Sequence, residues 1–382
     1  MKTSLTALTS AIFAIVSGTA VAQQTDPRGI AMAGTGVAGA KYHQASFYNP
    51  ALLTRYQEND DFALVLPAVS VQANDQDDMI DNIDNLQDIL DELDANPSVA
   101  NAQRAKQALL ALDNNKASFQ LGLGLVAAVP NKTLPFAVFA RGYLDANVQV
   151  ELDENDFDRL ENGNTDLNSA ASVVAVAVVE TGITLAYSLD LQHTRLSFGV
   201  SPKLQRIETF FYHTSVADFD EDDFDADEYR QKENKTNLDL GVTASWQNGV
   251  TAGLVARNLM SHEITTVSVN GQQYLYKMEP QIVAGVTYQN SWLSANADVE
   301  LTTHEGFGLQ DKSQWAAVGI ELDALDWAQL RFGYRNDLKS VQNDQLTAGL
   351  GLSPFGAFRL DLAGVYGDKN DLGAALQLSF TF

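Results

Sequence analysis

The C-terminal residues constrain this chain more than any other stretch. From Leu372 the even positions read Leu372, Ala374, Leu376, Leu378, Phe380 and Phe382, and Gly373, Ala375, Gln377, Ser379 and Thr381 lie between them. Successive side chains of a strand point to opposite faces, so this alternation predicts a strand with one apolar face and one small or polar face. The period recurs upstream. Leu238, Leu240, Val242, Ala244 and Trp246 alternate with Asp239, Gly241, Thr243 and Ser245. Leu293, Ala295, Ala297 and Val299 alternate with Ser294, Asn296, Asp298 and Glu300.

The alternation predicts strands over 62–72, 117–129, 135–151, 171–189, 194–213, 235–247, 250–258, 278–289, 292–302, 314–322, 327–335, 344–353, 357–366 and 371–382, about fourteen in all. The connections sort by parity. One set is short: 130–134, 190–193, 248–249, 290–291, 323–326 and 354–356. The other set is long and acidic: 74–116, 152–170, 214–234, 259–277, 303–313 and 336–343, with only 367–370 tight. An even-stranded transmembrane barrel has short periplasmic turns and long outer loops, whereas a soluble sandwich has no reason to sort loops this way. The expected fold class is therefore all-β, a transmembrane antiparallel β-barrel of about fourteen strands, residues 62–382. Trp246, Trp292 and Trp327 next to the short turns, and Trp315 opening a strand from the outer side, are expected in aromatic girdles. Asp239, Asp298, Glu300, Arg331, Arg335, Arg359 and Asp361 are expected to face the lumen, which must then be wet, paired or plugged.

Lys2, an apolar stretch from Leu5 to Val16 and Ala20-Val21-Ala22 form a secretory leader, residues 1–22, with cleavage expected after Ala22. Beyond it no stretch approaches the ~20 apolar residues of a helical span. The formal charge of −25 argues against nucleic-acid binding. The absence of cysteine removes disulfides, thiol catalysis and thiolate metal sites. His43, His193, His213, His262 and His304 lack metal-ligand spacing, and no G-x-S-x-G elbow is present. The acidic run from Asp218 puts Asp223 where a calcium loop needs glycine and Tyr229 where it needs glutamate, so it reads as a solvated loop. No enzyme activity, metal or cofactor is expected.

Two segments break the pattern. In 75–95, Met79, Ile83, Leu86, Leu90 and Leu93 recur at helical spacing, Asn96-Pro97 interrupts, and 99–112 resumes with Val99, Ala102, Ala105, Leu109 and Leu112. This predicts an extracellular αα-hairpin, 75–112, acting as a lid over the mouth, a docking surface or a packing cap. The other segment, 23–61, is rich in glycine and alanine. Its Gly34-Thr35-Gly36 lacks the flanking strand and Lys-Ser/Thr of a phosphate loop.

R-G-x-A-M-x-G-T-G-V-A at 28–38 and A-S-F-Y-N-P-A-L-L at 45–53 resemble the start of FadL-type outer-membrane barrels, the long-chain fatty acid transporters and their relatives. Ser201–Gln205 and Val255–Leu259 are most similar to the branch described as TraF-like conjugal transfer proteins. The resemblance implies a barrel with an N-terminal hatch, 23–61, folded into the lumen and including Gly34, Gly36, Phe47, Tyr48, Asn49, Pro50 and Ala51. A last strand closing on Phe380 and Phe382 resembles the assembly signal of such barrels. The implied location is the bacterial outer membrane, with lipids, lipopolysaccharide and the barrel assembly machinery as partners. The implied function is uptake of a hydrophobic small molecule through a plugged barrel; the alternative is a conjugation or envelope component that acts through its surface loops without transport.

Overall fold

In the computed structural model, residues 25–75, 78–113, 115–220, 223–309, 312–325, 327–354, 357–368 and 371–382 are described. The leader, Gln23 and Gln24 lie outside them. The first seven strands are β1 (Ala63–Asp75), β2 (Lys116–Val129), β3 (Phe136–Glu151), β4 (Ala170–Asp190), β5 (Thr194–Ser215), β6 (Arg230–Trp246) and β7 (Val250–Arg257). A separate hairpin follows, β8 (His262–Thr265) with β9 (Leu275–Met278). The rest are β10 (Gln281–Gln289), β11 (Leu293–Glu300), β12 (Trp315–Leu325), β13 (Ala328–Asp337), β14 (Gln345–Leu352), β15 (Phe358–Gly367) and β16 (Asp371–Thr381).

All strands except β8 and β9 form one closed antiparallel barrel of 14, each beside its neighbour in the chain and β16 back on β1. At the seam Leu64 faces Phe380 and Val71 faces Ala374. Phe382 N donates to Phe62 O (2.8 Å), and Phe62 N and Asp61 N donate to Phe382 O (3.0 and 2.6 Å). Closure leaves no unpaired edge, the condition for a sheet to cross hydrocarbon.

The faces are those of a protein solvated by lipid. On β16, Leu372 and Leu376 are 54% and 47% exposed, while Gln377 and Ser379 are buried. Such an apolar outer band around a polar interior places the barrel in the outer membrane. Trp246, Trp292 and Trp327 are exposed beside the short turns, as girdle residues should be. Trp315 departs from the expectation at 6% exposure, with the Arg335 guanidinium 4.2 Å above its ring. It shares the parity of Gly319 and Glu321 on β12, so it faces inward; height on a strand does not by itself choose the side.

The wall is uneven. β4 and β5 have 21 and 22 residues, β7 and β14 only 8 each. Crossing takes ~9–11 residues, so the tall strands rise beyond the membrane on the outer side. The surplus outward face of β4 and β5, with that of β3 beside them, is apolar: Leu144, Ala146, Val148, Val173, Ala175, Phe210 and Tyr212. Helices Met79–Ala95 and Val99–Ala111 cover it with Ile83, Leu86, Leu90, Leu93 and Leu109. The expected helical seam is this buried stripe. Asp75 Oδ1 accepts from Met79 N (2.7 Å) at the start of the first helix, and Ser98 Oγ accepts from Asn101 N (3.2 Å) to cap the second. The hairpin is thus a packing cap on the outside of the tall wall. Against the inner face of the same wall lie β8 and β9, which the alternation left as loop.

Candidate functional site

Residues 25–54 run inside the barrel, and their local shape follows from their sequence. Asp26 Oδ2 accepts from Gly29 N (2.8 Å) and caps the one-turn helix Pro27–Ile30, with proline at the position that needs no N–H donor. Asp26 also accepts from Gln44 Nε2 (2.6 Å) and Tyr48 OH (3.2 Å), which ties two halves of the segment together. Gly34, with φ of 85°, turns the chain. Asn49 Oδ1 accepts from Ala51 N (3.1 Å) and caps the 3-10 turn Pro50–Thr54. Its Nδ2 donates to Val37 O (2.9 Å) and to Val242 O of the wall (3.3 Å). Asn-Pro-Ala is therefore a cap, a helix start and a small residue packed without exposure. Phe47 and Tyr48 are buried beside it.

The segment rests on a belt of wall glycines. A Cβ on Gly199 of β5 would lie 2.2 Å from Pro50 C, and on Gly253 of β7 2.6 Å from Val37 O. On Gly319 of β12 it would lie 2.5 Å from Met32 Cβ, on Gly333 of β13 2.4 Å from Ala33 N, and on Gly349 of β14 2.4 Å from Ala31 Cβ. Gly253 faces Gly285, and Gly319 faces Gly333, across the ladders, so the smooth patches are paired.

Polar groups hold the segment there. Asp298 Oδ2 accepts from Gly36 N (2.7 Å) and Val37 N (3.0 Å). Thr347 Oγ1 accepts from Ala33 N (2.9 Å) and donates to Ala31 O (3.0 Å). Arg257 Nη2 donates to Tyr48 O (2.9 Å). Arg28 forms a two-bond fork with Glu321 (2.8 and 2.9 Å), the geometry in which a guanidinium binds a carboxylate best. From Glu321 the network continues to Arg331 (2.7 Å), Asp361 (2.7 Å) and Arg359 (3.2 Å). A second buried network joins Arg141, Glu180, Lys203 and Asp239, with Lys203 Nζ 3.2 Å from Glu180 and 3.0 Å from Asp239. Buried charges persist only when paired this way.

Of the seven lumen candidates, Asp298 meets the N-terminal segment directly, Arg331, Asp361 and Arg359 join one ion network, and Asp239 joins the other. Glu300 and Arg335 sit nearer the outer end. Glu300 Oε2 accepts from Trp315 N (2.9 Å), and Arg335 Nε donates to Gln345 Oε1 (2.7 Å). Sequence reasoning missed Arg28, Arg141, Glu180, Lys203, Glu321 and the glycine belt. The period-2 rule applied to every charge in every strand, rather than to the clearest strands, finds all of these charges except Arg28.

Above the segment, β8 and β9 lie against one sector of the inner wall. Ile264, Tyr276 and Met278 of β8 and β9 pack on Tyr143, Val176, Val178 and Ile207 of the inner wall. Glu305 bridges Lys277 of β9 and Lys312, both at 2.7 Å. Among the described residues no cluster of His, Cys, Asp and Glu could hold a metal.

Solved structures share this architecture. The Pseudomonas putida toluene transporter TodX superposes with a TM-score of 0.59 at 13% identity, over 93% of this chain and 98% of that one. The Ralstonia pickettii toluene transporter TbuX gives 0.53 at 12%, over 93% and 98%. A Pseudomonas aeruginosa FadL homologue gives 0.55 at 12%, over 97% and 99%. At these identities the likeness is one of fold. Among curated proteins no sequence match is found. Residues 46–300, well over half of the 382, match the family model described as F plasmid transfer operon, TraF, protein, and the chain belongs to that family.

Proposed function

We propose that this barrel carries hydrophobic small molecules across the outer membrane, with residues 23–61 as a hatch. The carrying observation is the seat of that segment. Phe47, Leu52 and Leu53 pack on Val65, Val126 and Phe139 of one sector of the wall, whereas along β7 and β12 to β14 much of the contact is bare glycine backbone with polar bonds such as Asp298 to Gly36 and Thr347 to Ala33. Water can replace bonds of this kind one by one, at a net cost of about 1 kcal/mol each, so the glycine-backed stretch at residues 31–37 is the part of the segment that shifts most readily. TodX and TbuX, both toluene transporters, add support through shared fold. Binding would draw on burial of apolar area, roughly 25 cal/mol per Å². The test is uptake of a panel from toluene to long-chain fatty acids by cells making the full protein or a variant lacking residues 25–55. A changed rate for at least one compound is expected; unchanged uptake of every compound refutes the reading.

The family description favours a second reading, in conjugation. The helical cap supports it by presenting Asp81, Asp84, Asp88 and Asp91 on a helix whose other face is fixed to the wall. Plasmid transfer frequency in a deletion strain decides it, since normal frequency removes it.

A further inference from the structure

We propose that the outward face of β4, β5 and β6, just above the apolar band, binds lipopolysaccharide of the outer leaflet, with Arg206 and Lys232 gripping a phosphate of its lipid A anchor. The proposal uses the placement of the barrel in the outer membrane and holds whether or not the barrel transports.

The ladders fix the height of this face. Thr181, Leu204 and Thr236 lie opposite one another across the three strands. A crossing of ~9–11 residues from the periplasmic ends at Asp190, Thr194 and Trp246 arrives at this row. The next outward rows therefore stand above the hydrocarbon: Val179, Arg206 and Asn234, then Ala177, Glu208 and Lys232. The row beyond, Ala175, Phe210 and Arg230, passes under the cap. Ala175 and Phe210 belong to the apolar cluster that the helices cover, and the Phe224 ring stands 5.9 Å from that of Phe210. Between lipid band and cap lies a groove of about 560 Å³, with Val179 and Leu204 as its floor and Arg206, Asn234, Thr236 and His262 around it.

Position and charge select the occupant. Val179 and Leu204 are 53% and 63% exposed, so the floor continues the lipid-facing band and takes an acyl chain. Arg206 and Lys232 are 54% and 41% exposed. The face sets Arg206, Arg230 and Lys232 against Glu208 and Asp227, in a chain whose formal charge is −25. Cations gathered at headgroup depth answer an anionic headgroup. Their present partners are replaceable. Arg230 is 3.7 Å from Glu208 and Lys232 is 3.9 Å from Asp227, and exposed pairs of this kind contribute little. Glu208 offers Arg206 a single oxygen, Oε1, 2.5 Å from both Nε and Nη2. A phosphate offers two, which suits the guanidinium fork.

The strand edge favours a glycolipid over a simple phospholipid. The β6–β7 ladder runs only from Leu240 to Ser245. Among the described residues, β5 is thus the one ladder partner of 230–239. Leu238 O and Thr236 O point to the open edge, where Leu259 N and His262 Nε2 donate to them (3.0 and 2.9 Å). By alternation the main-chain groups of Asn234 and Lys232 point the same way, beside the groove. Main-chain groups need partners, and the sugar hydroxyls and amides of lipid A supply them next to the phosphate.

The full-length protein in detergent is titrated with lipid A, and the bound fraction is read by native mass spectrometry. Heat-modifiable migration checks that each variant is folded. Arg206→Ala with Lys232→Ala is expected to weaken binding at least tenfold, and Leu204→Asn several-fold. Arg104→Ala with Lys106→Ala removes two cations from the helical cap and is expected to change nothing. Lipid A stripped of its phosphates should bind the native protein as weakly as lipid A binds the double variant. Unchanged binding in the Arg206 and Lys232 variant, or an equal loss in the cap variant, overturns the site. Equal binding of the stripped lipid overturns phosphate recognition, and displacement by an equal concentration of phosphatidylglycerol overturns the choice of a glycolipid.

Discussion

Asp298 offers the sharpest test of how the N-terminal segment is held. Its carboxylate leans over Gly285, where a Cβ would sit 2.2 Å from Oδ1, and accepts from two consecutive backbone donors, Gly36 N at 2.7 Å and Val37 N at 3.0 Å. Asp298→Ala leaves both N–H groups buried without an acceptor, at about 1–3 kcal/mol each. Water entering the gap recovers part of this, so a net loss of roughly 3 kcal/mol is expected. At 1.4 kcal/mol per factor of ten, the undocked population rises about a hundredfold. The main-chain ladder that pairs Asp298 with Gly285 is untouched, so the barrel stays folded and heat-modifiable on gels. Hydrogen exchange at the amides of Gly36 and Val37 reads the opening directly, and bilayer conductance reads its consequence. Asp298→Asn keeps one acceptor oxygen without the charge and should fall between the two. Unchanged exchange at both amides in the alanine variant would refute the view that this carboxylate holds the segment.

The other expectations concern the seat, the cap and the mouth. Gly333→Val places a Cβ 2.4 Å from Ala33 N and 2.5 Å from Met32 C. Overpacking of about 1–3 kcal/mol should displace the segment, seen as protease cleavage within 25–55 of a barrel that still assembles; full protection would contradict the seat. Leu109→Ala empties a fully buried site in the cap and should cost about 2–5 kcal/mol locally, giving cleavage near Pro97 with the barrel intact. Hydrogen bonds from Lys277 and Lys312 pull the Glu305 carboxyl down from 4.5 to about 2. A depressed carboxyl contributes fully above its ordinary value and loses that contribution as pH falls through the folded one. Anchoring of β9 should therefore persist at pH 5 and fade between about 4.5 and 2. A carbon-13 titration of Glu305 with its midpoint near 4.5 would contradict it.

The sequence by itself determined the strands, their faces and the side on which each loop falls. Side-chain alternation is set by local backbone geometry, so the face of Leu376 or Gln377 needs no knowledge of any other strand. The same holds for the helical stripe from Met79 to Leu93. Locality is also where legibility stopped. Strands of four residues, such as β8 and β9, are too short to register a period. Trp315 was read by height when parity governed. Only the tertiary structure decided which inward groups meet. Arg28 and Glu321 lie 293 positions apart and pair because closing the sheet sets the stagger of its strands and brings the folded-in N-terminal segment against one sector of the wall. The same closure turned unremarkable glycines into a seat for that segment, and left Val176, Val178 and Ile207 facing a lumen where something apolar must cover them.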